Sequence, residues 1–288
     1  DGTAGSGGKI TQTGGQFINT LDSNVELGHN TGSTGTYIMV DGVSEIGGNL
    51  IVGQNGDGVM YQHGGLVEVG ANGLNKALFL GAQNGSTGFY TMTGGSLSTT
   101  GDVEIGEDVW GVFTMSGGVF DAVTQDDGTA VGQYFRVGVQ LGDPGGELHL
   151  DGGILNVHDE SRIGVNTYGK VEMTGGTYNQ LYSQLQIAYN SQSGAVHGHF
   201  IQSGGTVNTA DNVDVGRDGH GTYLLSGDGI LNVGGDLVLA ETANATGHMV
   251  VSGGEANVTG DLIIAQVAGS GNLEVSGGEA NVTGDLII

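Results

Sequence analysis

The chain has no cysteine, which excludes a disulfide framework and any thiolate metal site. It has one proline, and six lysines and arginines stand against 31 aspartates and glutamates, a formal net charge of −25. A chain so poor in cations lacks the basic face that nucleic acids and anionic membranes require. The same balance favours solubility and allows cation binding. No stretch approaches the ~20 apolar residues of a membrane helix, and no leader peptide is visible. The sequence opens at Asp1 without Met, as a processed chain or an excised fragment would. Aromatic residues are few: one tryptophan, nine tyrosines and seven phenylalanines.

What the chain has is glycine, 61 residues of 288, without the every-third spacing of collagen. Val251–Ile264 reads VSGGEANVTGDLII, and Val275–Ile288 repeats it residue for residue. Aligning the rest on the glycine after a small polar residue (Gly14, Gly42, Gly64, Gly94, Gly117, Gly152, Gly175, Gly204, Gly227, Gly253, Gly277) yields eleven repeats. Four residues before each marker stands an apolar or aromatic residue, as at Ile10, Ile38, Tyr90, Phe113, Phe200 and Leu273. Polar residues alternate with these, the period of a strand buried on one face. A second strand follows the glycines, then a Gly-Asp or Gly-Asn turn, then a third strand closing on Gly or Ala.

Three short strands in ~23 residues fit one rung of a solenoid, whereas a propeller blade needs about 40. The sequence therefore predicts an all-β parallel β-solenoid of about eleven three-stranded rungs, one domain over 1–288, with right-handed winding as the default. Asn156, Asn179, Asn208, Asn232, Asn257 and Asn281 fall in one column if a residue is inserted near Gly229, as an amide ladder requires. The loops from a closing residue to the next opening glycine alternate in length: Gly53–Gly58 is short, Gly81–Gly88 longer, Gly106–Gly111 short. Neighbouring rungs only ~4.8 Å apart cannot both carry bulky loops.

The phrase Ser-Gly-Gly, apolar strand, Gly-Asp, apolar strand resembles the glycine-rich repeats of large bacterial surface and exported proteins, described as autotransporter-associated β-strand repeats or found upstream of PEP-type sorting signals. The resemblance spans the chain. It implies an extracellular or cell-surface solenoid with a structural or adhesive role, and no catalytic residues. No outer-membrane barrel or sorting tail is present to indicate the export route.

Gly219–His220–Gly221 resembles a polygalacturonase motif, but Gly221 is also a regular strand-opening glycine. Asp126–Asp127, the carboxylates that could serve it, lie some four rungs away, ~19 Å at the rung spacing. His197 and His220 fall in adjacent rungs and, with Asp218 or His199, could hold a transition metal; the alternative is exposed loop histidines. Asp57, Asp108, Asp143 and Asp218 could take Ca2+, although the nonapeptide calcium pattern is absent. No other cofactor is expected. Glu104, Arg136 and Arg162 succeed one another in one column, as a weak cross-rung ion pair would require.

The outward column of the third strand turns apolar at Val238, Ile263 and Ile287, which suggests a lateral contact surface. Asp1–Gly8 reads as an inter-rung loop, and Ile288 closes a third strand with no polar cap. The expectation is head-to-tail self-assembly, rung Ala280–Ile288 onto rung Ile10–Leu27, in an extracellular structural protein rather than an enzyme. The alternatives are a polysaccharide-active β-helix enzyme, which needs a groove with paired carboxylates, and a glycan-binding adhesin, which needs an aromatic patch on one flank.

Overall fold

A computed structural model describes residues 5–19, 21–73, 75–83, 85–124, 133–140, 144–189 and 197–288. It is all-β, and every strand pairs in parallel with the equivalent strand one rung away. Rung 1 comprises Gly7–Asn19 and Val25–Leu27; rung 11 comprises Ser270–Val282 and Leu286–Ile287. The third strands of the eleven rungs, three or four residues each in most, form one 11-stranded sheet. First and second strands, continuous through the glycine bend in several rungs, form the other sheet.

The alternation dictates the core. Phe113, Phe200, Tyr223 and Met249 point inward from the first strands, Leu155 and Val207 from the second, Val103, Val215 and Leu239 from the third. Stacked rungs bring like side chains together along the axis: the Phe200 and Tyr223 rings lie 4.8 Å apart and 3° from parallel. Glycine is needed where the third strand hands over to the next first strand. Gly216 has φ 77°, and a Cβ on Gly221 would come within 2.1 Å of the Gly216 nitrogen. Backbone contact this close explains Gly221 without any catalytic role.

The amide ladder forms. Each Asn Nδ2 donates to the Oδ1 one rung back, from Asn281 at 3.1 Å through Asn257, Asn232 and Asn208 to Asn179, which bonds Asn156 at 2.8 Å. It ends on the Asp121 carboxylate, 2.8 Å from Asn156 Nδ2. The register requires the extra residue near Gly229, because Leu225 pairs with Gln202 while Ile230 pairs with Thr206.

Rung 2 departs from the expectation. The repeat alignment puts Ile38 inward, but Tyr37 and Met39 are the buried residues and Ile38 faces out. Gly42, φ 105°, occupies the bend position that the second glycine of a pair, such as Gly65, holds elsewhere. Counting back from Gly42 therefore lands one residue off, and a one-residue slip reverses the faces of a strand.

Candidate functional site

His197 and His220 are paired neighbours in the ladder, as expected. Their rings stack, with centroids 5.3 Å apart and planes 20° from parallel, and His197 also stacks on His199 at 6.2 Å. Rings stacked face to face do not converge their nitrogen lone pairs on one point, as a shared metal demands. The Asp218 carboxylate accepts from the Thr242 hydroxyl at 3.0 Å. Among the described residues, no three His, Cys, Asp or Glu side chains converge as a metal set. Of the calcium candidates, Asp57 accepts from the Thr87 backbone N–H and hydroxyl. Asp143, like Asp126–Asp127, lies outside the described residues.

The outward column of the third strands carries Glu26, Glu104, Arg136, Arg162 and Asp214. Arg136 bridges Asp102 and Glu104 at 2.5 and 2.8 Å, which realises the expected cross-rung pair. Arg162 instead bonds Glu160 at 2.7 Å, and its guanidinium lies 3.8 Å from the centroids of both the Tyr134 and Tyr189 rings. Burial pushes Glu104 up to about 7 despite Arg136, and burial together with Glu104 and Asp108 pushes Glu107 up to about 8. Two rungs beyond Arg162, burial and the neighbouring Glu241 raise Asp214, while Arg217 pairs with Glu241 at 2.8 Å. Perturbed carboxyls often mark functional sites. Here Glu104 and Asp214 stand four rungs apart, ~19 Å, so they cannot act on one bond.

This column corrects the expected exposed apolar stripe. Val238 is 4% exposed and Ile263 9%; only Ile287, with Leu286 and Ile288 in the last rung, is open. The cause is strand brevity. Each three-residue strand offers one outward side chain, walled in by its neighbours along the axis and by the side chains of the bounding turns, such as Gln186, Arg217 and Glu241 around Asp214. Of the remaining interface candidates, Ile10 is 40% exposed at the rim of rung 1 and Leu27 is buried.

In the three outward columns of the first strands, Asp, Glu, Lys and Arg are confined to rungs 1, 6, 7 and 11. Rungs 6 to 8 present ionisable groups: His149 sits 2.9 Å from Glu147, and Lys170 lies 2.6 Å from Glu172. His199, beside Tyr168, is lowered by burial, then by His197 and Lys170. Rungs 2 to 5 present no Asp, Glu, Lys or Arg there. The column Thr36, Val59, Phe89, Val112 and the column Ile38, Tyr61, Thr91, Thr114 follow the pairing register. Val40, His63, Thr93 and Ser116 complete the face toward the bend. Among these twelve positions stand neither Asp, Glu, Lys nor Arg. The repeat pattern does not reveal this flank, because the recurring apolar columns point inward and these residues point outward.

Two depressions lie elsewhere, one at Glu26, His29 and Thr34, the other at Glu68, Ser98 and Thr124; each offers one carboxylate. No family model, curated protein or solved structure matches the chain.

Proposed function

We propose that this chain is an extracellular structural element, a β-solenoid block of a fibre or surface layer that extends along its own axis by rung-on-rung stacking. The observation that carries this reading is the polarity of the ladders. In six rungs, those of Asn24, Asn49, Asp102, Asn212, Asp236 and Asp261, the turn before the third strand holds an Asn or Asp whose Oδ1 accepts a backbone N–H of the next rung, as Asn24 does from Asn49 and Asp261 from Asp285. Asp285 and Asn281 thus present their acceptors toward the place of a following rung, and the Asn24 N–H is the matching donor at rung 1. Apolar side chains correspond at two columns, with Leu273 and Leu286 in those of Ile10 and Val25, while Val275 stands in that of Gln12. The resemblance to bacterial surface repeats supports the same role and location. The following rung belongs either to a second copy or to a further stretch of the same polypeptide.

Negative-stain electron microscopy of the purified chain at rising concentration should show fibres with an axial repeat near ~50 Å, eleven rungs at the rung spacing. Leu286→Glu with Val275→Glu, both exposed in the single chain, should leave short particles. A monomer at every concentration would sink stacking between copies, and a monomer whose end rungs do not pair with an added rung-forming segment would sink the reading.

A further inference from the structure

We infer that the uncharged face of rungs 2 to 5 is a binding surface for a neutral polysaccharide. This does not rest on the fibre proposal. The first support is charge. In a chain of net charge −25, the twelve outward positions carry no Asp, Glu, Lys or Arg; the same columns of rungs 8 to 10 carry none either, and what sets rungs 2 to 5 apart is the exposed Tyr61 and Phe89 rings. The face is bounded along the axis by Lys9 in rung 1 and Glu147 in rung 6, paired with Thr36 and Val112 respectively. At its lateral rims stand Asp57, which accepts from the Thr87 backbone N–H and hydroxyl, and Asp41, which accepts from the Gly42 N–H.

The second support is chemistry. Tyr61, Phe89 and Val40 are 38, 37 and 44% exposed. The His63 ring stacks parallel to Tyr61 at 6.4 Å, and its Nδ1 lies 3.0 Å from the Thr93 hydroxyl. Trp110, the only tryptophan, immediately precedes the first strand of rung 5. Flat apolar rings interleaved with threonine hydroxyls match a sugar, whose C–H faces stack on aromatics while its hydroxyls bond hydroxyls. An acidic glycan is disfavoured, since the surrounding field is negative and the face offers no cation.

The third support is area. Four rungs at ~4.8 Å and three outward columns ~6.6 Å apart, with side-chain margins, cover roughly 400 Å². That is about half the ~800 Å² per partner of a stable protein interface. A second copy is therefore a poor occupant, whereas an extended glycan of several sugars fits a flat ridged strip.

Affinity electrophoresis of the intact chain, in native gels containing hydroxyethylcellulose, glucomannan, dextran or polygalacturonate, tests this. Retardation is expected in at least one neutral polysaccharide and not in polygalacturonate. Tyr61→Ala with Phe89→Ala should weaken it about tenfold or more, and Thr91→Glu, which places a charge mid-face, should do the same. Both sites are outward, so circular dichroism should show unchanged melting; if the double variant melts early, the Thr91→Glu result decides. His149→Ala, outside the face, should retain full retardation. No retardation in any neutral gel, equal retardation by polygalacturonate, or retardation indifferent to Thr91→Glu would overturn the inference. So would a concentration-dependent dimer in sedimentation that Thr91→Glu abolishes, which would assign the face to a second copy.

Discussion

The Tyr223 hydroxyl donates to Gln202 Oε1 across one rung at 2.7 Å, with both side chains buried. Gln202 Nε2 donates in turn to the carbonyls of Gly205 and Ile230, each at 3.0 Å. The same pairing recurs between Tyr90 and Gln62 at 2.6 Å and between Tyr37 and Gln12. The glutamine satisfies the backbone of its own bend and of the next rung, and the tyrosine satisfies the oxygen left over.

Gln202→Leu should therefore destabilise more than Tyr223→Phe. The first leaves a buried hydroxyl without its acceptor and takes a donor from two carbonyls, of which Gly205 keeps the Ile230 N–H, about 2–3 kcal/mol; the second removes one bond, about 1 kcal/mol. The double variant should lose less than the sum, because the orphaned hydroxyl goes with its partner. Urea denaturation of the four proteins measures the cycle, and strict additivity would show that the pair does not act as a unit.

Asn208 is a mid-ladder test. Its Nδ2 donates to Asn179 and its Oδ1 accepts from Asn232. Asn208→Asp keeps the acceptor and replaces the donor by a second acceptor facing Asn179. At pH 7 the melting temperature should fall by several degrees. Below pH ~4 the protonated carboxyl can donate again, and the gap to the parent should narrow. A gap independent of pH would place the ladder outside the stability of these rungs.

The outward carboxyls of the third-strand sheet predict a pH dependence of stability. Glu104 is pushed up to about 7 and Glu107 to about 8, in each case chiefly by burial. A raised carboxyl binds its proton more tightly in the folded state than in the unfolded chain, where it titrates near 4.5. Stability from these groups is thus fully present below pH ~4.5 and is lost as pH rises through about 7 to 8. The melting temperature should decline between about pH 5 and pH 8.5, and Glu107→Gln should flatten that decline. A melting temperature that rises across this window, or an unchanged slope in Glu107→Gln, would contradict the assignment.

Periodic features are legible in the amino-acid sequence alone. The rung count, the inward columns at Phe113 and Phe200, the asparagine ladder with its inserted residue and the adjacency of His197 and His220 all follow from a strand period of two and a repeat in register. Each depends only on residues that recur at a fixed spacing, so alignment alone places them. Tertiary structure decided the rest. Tyr37 rather than Ile38 faces the core, because the bend glycine of rung 2 is a single one. Val238 and Ile263 are covered, because a three-residue strand is walled in by its own turns. The tyrosine–glutamine pairs and the uncharged face depend on which residues of different rungs stand side by side. Tyr90 and Gln62 are 28 positions apart in the chain and 2.6 Å apart in space. Side chains that meet only through inter-rung register, with loops of unequal length between them, have no periodic signal of their own, and the stacking that brings them together is the fold itself.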